Sequence, residues 1–161
     1  AISSKIKIPF YPVPMTMQTL IVLIIGIGFG WKLGLATISL YLFEGIIGLP
    51  VFSGTPEKGL GIVYFVGPTM GYLLGFVFAA MLSGIFKFDK NIILNFLKLV
   101  LSVSIIYILG IMWLGILIGW DKPIINLGVT PFLLAELFKI TLLSVIITLF
   151  NDKLSDFKNW I

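Results

Sequence analysis

The 161-residue chain has no cysteine and no histidine, and lysine alone carries its positive charge, without a single arginine. The lack of cysteine excludes disulfides, thiolate metal sites and cysteine nucleophiles. With histidine also missing, the usual zinc sets and general-base constellations have no raw material. Charge of either sign is scarce: 11 lysines face 7 acids, giving a formal net charge of +4. Lysines so few and scattered exclude a nucleic-acid footprint, which needs a basic face interleaved with aromatics. No Gly-x-x-x-x-Gly-Lys-Ser/Thr run is present to cradle nucleotide phosphates, and Gly26-Ile-Gly-Phe-Gly30 lies within an apolar run instead of following a strand. Catalysis would have to rest on Glu, Lys and Ser, and no nucleophile and base stand at helical contact spacing in one polar pocket. No enzymatic activity and no cofactor are expected. What is abundant is hydrophobic: 59% of the residues, before 17 glycines are added. Soluble domains reach about 45–50% with glycine included, so polar surface here is too scarce to cover a water-facing globule.

A helix needs roughly 20 mostly apolar residues to cross about 30 Å of hydrocarbon. Five stretches qualify, the first of them short: Thr16 to Gly30, Leu33 to Leu49, Val66 to Phe86, Ile92 to about Gly119, and Thr130 to Phe150. The first two are parted by Gly28-Phe-Gly-Trp-Lys-Leu-Gly34, a cluster of helix breakers with a lysine. So short a first span is tilted little, or else its ends are buried against protein. Loops are expected at Pro50 to Phe65, Lys87 to Asn91 and Trp120 to Val129. Barrel strands are excluded, because they need about ten residues of strict alternation. The expectation is an all-α membrane protein, a small helical bundle lying in the lipid bilayer as a single transmembrane domain over residues 1–161. Lysine counts orient it weakly. Lys32, Lys87, Lys90, Lys153 and Lys158 fall on one side, against Lys5, Lys7, Lys58 and Lys122 on the other, which favours a cytoplasmic C-terminus.

Within the spans a few polar residues stand out. Glu136 and Lys139 share one helix face in the last span, three positions apart. Each charge costs several kcal/mol in a membrane unless paired or hydrated, so two readings stand: a ligand site facing the bundle interior, or a mutual salt bridge with Lys139 snorkelling to the surface. In the third span Gly67, Gly71, Gly75, Ala79 and Ser83 recur every four residues, a stripe that lets another helix approach closely. At its entrance, Gly67-Pro-Thr-Met-Gly-Tyr72, the hydroxyls of Thr69 and Tyr72 are available to a ligand. Gln18 opens the first span. In the second, Tyr41 is either an interface anchor or a site residue, and Glu44 lies one turn from Leu49-Pro-Val-Phe52. Trp31, Trp113, Trp120 and Trp160 fall mostly near span boundaries, where aromatic belts form.

Four linked segments carry a resemblance: Pro12-Val-Pro-Met-Thr-Met-Gln-Thr19, Tyr41-Leu-Phe-Glu-Gly-Ile-Ile-Gly-Leu-Pro-Val-Phe52, Gly67-Pro-Thr-Met-Gly-Tyr-Leu-Leu-Gly-Phe76, and Pro131-Phe followed by Glu136 and Lys139. In this order, with Gly54-Thr-Pro-Glu-Lys-Gly59 and Trp113-Leu114, the chain resembles the BioY family, the biotin-specific substrate-binding (S) component of energy-coupling factor transporters. The resemblance implies an S-component bundle of six transmembrane helices, about five of them covered here, with the first family helix missing before residue 1. It further implies capture of biotin near the outer surface of a prokaryotic cytoplasmic (inner) membrane. A transmembrane coupling subunit and two ATPase subunits would power its release inside. Glu136 and Lys139 match an acid and a lysine of the family's last helix. The acid there is usually Asp, so Glu136 is longer by a methylene, and Met70 stands where glycine is usual. Biotin asks for an acceptor for its ureido N–H groups, a cation for its carboxylate and an apolar enclosure for its sulfur ring. The substrate-binding set expected is Glu136, Lys139, Tyr41, Tyr72, Thr69, Gln18 and Phe52. An S component for another vitamin and an assembly subunit without ligand are the competing readings.

Overall fold

The computed structural model describes residues 1–9, 11–53 and 61–151. A short helix α1 (Ile2–Lys5) leads into a two-residue strand β1 (Lys7–Ile8), which pairs antiparallel with β2 (Met15–Thr16). The helices α2 (Gln18–Ile46), α3 (Ile62–Phe65), α4 (Met70–Ile85), α5 (Ile92–Ile118) and α6 (Ile124–Gly128) follow. A 3-10 turn over Thr130–Phe132 then leads into α7 (Leu133–Leu149). The exclusion of barrel-length strands stands beside this two-residue ladder. The segments expected as loops before Val66 and after Trp120 each hold a one-turn helix.

By length and hydropathy three stretches can cross a membrane, Gln18–Ile46, Ile92–Ile118 and Ile124–Leu149, and Met70–Ile85 is a shorter apolar helix. The first stretch is two rods. Gly30 has φ 74° and ψ 174°, a backbone that side chains with a Cβ disfavour, and the chain reverses there. The Gln18 amide donates to the Tyr41 hydroxyl at 2.7 Å, whereas 23 residues of continuous helix would hold them about 35 Å apart. A Cβ on Gly34 would lie 3.1 Å from Gly26 Cα, so the two arms touch near the turn. The expected breaker cluster is thus a hairpin, and the described residues form five long rods. The start of the short first arm is buried in the bundle, with Gln18, Thr19 and Leu20 covered.

The rods pack in the order α2, α4, α5, α7. Small residues set their spacing. A Cβ on Gly71 would strike the Leu109 carbonyl and Trp113 Cβ, and one on Gly75 would strike Ile106, so this part of the α4 stripe lies directly on α5. On another face of α4, Ala80 and Ser83 meet Gly26 of the hairpin. In α7 the buried residues Glu136, Lys139, Ile140, Leu143 and Ile147 form one stripe, while Leu134, Leu137 and Phe138 are exposed. Exposed leucine and phenylalanine opposite a buried stripe suit a helix with lipid on its outer side. One end of the bundle, where both arms of α2 end and where α4 and α7 begin, is the end with the cleft described next.

Candidate functional site

At that end lies a narrow cleft of about 50 Å³, partly open to solvent. Its front wall is the segment Val13 to Thr16 with Gln18 and Thr19. Ser53 and Tyr64 form one side. Thr69, Tyr72, Leu73 and Phe76 come from the start of α4, Ile106 and Tyr107 from α5, and Phe132 and Glu136 from the end of the chain. Each group occupies its place for a local reason. Residues 13–16 are held by the ladder, in which Lys7 pairs with Thr16 and Ile8 with Met15. The Ser53 and Tyr64 hydroxyls bond at 3.1 Å. Tyr72 donates to the Gly128 carbonyl at 2.8 Å, tying α4 to α6 and leaving the hydroxyl oxygen as an acceptor.

Behind the front wall lies a buried polar knot. Lys139 Nζ donates to Glu136 Oε1 at 2.7 Å, to the Thr16 carbonyl at 2.7 Å and to Thr19 Oγ1 at 3.0 Å. Thr19 Oγ1 in turn donates to Glu136 Oε1 at 2.8 Å. An ammonium has three donors, and these three acceptors use them all. Glu136 Oε1 accepts twice, whereas Oε2 is buried and has no hydrogen-bond partner among the described residues. The Tyr107 hydroxyl lies beside the Glu136 carboxylate, acting on it both through charge and as a weak hydrogen-bonding neighbour, though Oε2 has no partner in full hydrogen-bond geometry. The salt bridge and the site are therefore two halves of one side chain: one Glu136 oxygen closes the pair, and the other is left over on a residue of the cleft wall.

Of the residues expected from sequence, Gln18, Thr69, Tyr72 and Glu136 lie on the cleft wall, and Lys139, Tyr41 and Phe52 lie outside it. Lys139 neither snorkels nor faces the cavity. It is 5% exposed and lies behind Thr19 and Glu136. Tyr41 accepts from Gln18 and donates to the Val51 carbonyl at 3.2 Å, bracing the wall from behind. The Phe52 ring packs over Gly45 and against Tyr41, Tyr64 and Phe65, at centroid distances of 5.3, 4.9 and 5.4 Å. Glu44 borders a separate groove, together with Gln18 and Tyr41. Trp113 is no simple belt residue, because its indole donates to the Gly67 carbonyl at 2.9 Å and ties α5 to the entrance of α4. Thr16, Thr19, Ser53, Tyr64 and Tyr107 also line the cleft, and sequence reasoning did not single them out. Thr16 and Thr19 stood in the Pro12–Thr19 segment that carried the resemblance, and Tyr107 was a polar group in the middle of an apolar span. Residues 54–59, Lys153, Lys158 and Trp160 lie outside the described residues.

A sequence model described as the BioY family matches residues 1–156. The chain belongs to the BioY family. Among its BioY relatives, a probable biotin transporter of Pyrococcus horikoshii is 33% identical over 139 residues, covering 86% of this chain and 81% of the relative. A biotin transporter of Thermotoga maritima is 34% identical over 146 residues, covering 90% and 85%. The crystal structure of an S-component for biotin from an ECF-type ABC transporter superposes with a TM-score of 0.73 at 26% identity, over 92% of this chain and 80% of that one. The bundle is thus that of a BioY S component and of a multi-pass membrane protein. Its cleft is built largely from three of the four segments that carried the resemblance, with no wall residue from Tyr41–Phe52.

Proposed function

We propose that the chain captures biotin as the substrate-binding component of an energy-coupling factor transporter, with its cleft facing outward from a prokaryotic cytoplasmic membrane. The carrying observation is Glu136 Oε2, a buried oxygen without a partner on the wall of a mainly apolar cleft. A buried acceptor left unsatisfied costs about 1–3 kcal/mol, more when charged, so a ligand that brings an N–H donor recovers that cost on binding. The ureido ring of biotin brings two such donors. Leu73, Phe76, Ile106 and Phe132 enclose the sulfur ring, and the hydroxyls of Thr69, Ser53 and Tyr64 offer further polar contacts. Lys139 acts through Glu136, fixing its orientation and balancing its charge. The names and structure of the relatives support the same ligand. No P-loop motif is present in the sequence, so energy for release enters through partners, proposed as a transmembrane coupling subunit and two ATPases. Equilibrium binding of labelled biotin to the detergent-solubilised protein tests the reading. Unlabelled biotin should displace the label, and thiamine or riboflavin should not. Displacement by either vitamin as effective as by biotin itself would overturn the assignment.

A further inference from the structure

Biotin is an anion at neutral pH, and the Lys139 ammonium has all three of its donors engaged behind the cleft wall. A second cation, Lys7, is bonded to two residues of the cleft wall. The Lys7 backbone pairs with Thr16 on the front wall, while its ammonium donates to the Ser53 carbonyl on the side wall. Thr16 and Ser53 both line the cleft, so Lys7, though not itself a wall residue, links the front wall to the side wall. One of its three donors is spent on Ser53, and no other partner of the ammonium stands among the described residues. Its neighbours Ser4 and Lys5 bond the preceding carbonyls, Ser4 to Val51 at 2.6 Å and Lys5 to Phe52 at 2.9 Å. Three consecutive carbonyls are thereby held from the N-terminal segment. Of the three carbonyl residues only Ser53 lines the cleft, which singles out Lys7 over Lys5.

We infer that Lys7 is the cation that receives the carboxylate of the ligand at the cleft mouth, a role that rests on the biotin reading above. The ureido ring sits inside against Glu136, and the acid end of the tail emerges between Thr16 and Ser53. Binding of biotin and of biotin methyl ester, which lacks the charge, is measured on the wild-type protein and on Lys7→Met, Lys5→Met and Lys139→Met. Lys7→Met should weaken biotin about fivefold, equal to about 1 kcal/mol and at the upper end for a solvent-accessible ion pair, and leave the ester unchanged. Retained ester binding shows that the variant is folded. Lys5→Met should leave the ratio of acid to ester affinity as in the wild type, and Lys139→Met should weaken both ligands alike. Independently of any variant, the wild-type protein should bind the acid about fivefold more tightly than the ester. Equal wild-type affinity for the two overturns the role of Lys7, as does Lys7→Met weakening both or neither. Absence of any biotin binding by the wild-type protein overturns the function itself and this role with it.

Discussion

Glu136 illustrates how a single residue resolves two readings that the sequence left side by side. Spacing alone shows that Glu136 and Lys139 share a face, and both a salt bridge and a ligand site satisfy that spacing. Deciding how the two carboxylate oxygens are divided takes Thr16 and Thr19, which meet α7 across more than 115 residues of chain. Nothing local marks these contacts, because Thr16 offers a backbone carbonyl, which any residue has, and the Thr19 hydroxyl lies within a helix, where such a group is ordinarily satisfied by its own backbone. Tyr107 was hidden because it lies mid-span in an apolar run, whereas Gln18, Thr69 and Tyr72 were legible because each opens a span, where side chains face the cleft end. The division of labour predicts the behaviour of the pair. Glu136→Gln should weaken biotin and its methyl ester alike by about tenfold or more, since a hydrogen bond to a charged group is worth roughly 1.5–3 kcal/mol and 1.4 kcal/mol is one decade. Lys139→Met removes three hydrogen bonds and strands a buried carboxylate, a change that costs about 3–5 kcal/mol when one partner of such a pair is lost. Parallel losses for acid and ester, with a lowered unfolding temperature in detergent, are the expected result. A loss confined to the acid would place Lys139 on the ligand carboxylate.

At the scale of elements, the spans were legible because hydrophobic length and breaker residues report directly on what a bilayer demands. The spans drawn at Ile92 and Thr130 agree with α5 and with the turn that leads into α7 to within a few residues. The entrance of α4 was less legible. Gly67 to Thr69 form a turn held by Trp113, and α4 begins at Met70, four residues after the expected start. Hydropathy cannot separate an apolar turn from an apolar helix, since both are stripped of charge. The small-residue stripe did carry structural information, because the close approach of α4 and α5 needs Gly71 and Gly75 to have no side chain. Gly71→Leu would drive four carbon atoms into the Leu109 carbonyl and Trp113 Cβ. Overpacking of this kind costs typically about 1–3 kcal/mol, and here the displaced helices carry Tyr72 and Tyr107 of the cleft. The variant should unfold at lower temperature in detergent and bind biotin more weakly. Wild-type values for both would show that the two helices can part at this point without consequence.

For the whole molecule, the two ends of the bundle differ in what they present. The cleft end bears Lys5, Lys7 and Lys122, and the far end, with the hairpin turn and the α4–α5 connection, bears Lys32, Lys87, Lys90 and Lys98. The far end is also firmly tied. Asn95 is buried and donates to the Asp89 carbonyl and to Thr148 Oγ1, while Asp89 and Lys98 form an ion pair at 3.4 Å, joining the α4–α5 connection to α5 and α7. Among the surface lysines of the described residues, four against three is a small margin for the positive-inside rule, but it agrees with an outward cleft, the only orientation in which an uptake protein meets its solute before energy is spent. A chain without native cysteine allows the orientation to be read directly from single introduced thiols. Ile8→Cys on β1 replaces a residue that is 57% exposed at the cleft end. Lys32→Cys stands beside the hairpin turn at the far end, where the native ammonium lies 5.6 Å from the centre of the Trp31 ring. A membrane-impermeant maleimide should modify Ile8→Cys in intact cells and reach Lys32→Cys only after the membrane is opened. Biotin should slow the first reaction if the ligand orders the ladder at the mouth, and leave the second unchanged. The reverse labelling pattern would place the cleft on the cytoplasmic side, where the protein could receive biotin only after it had already crossed.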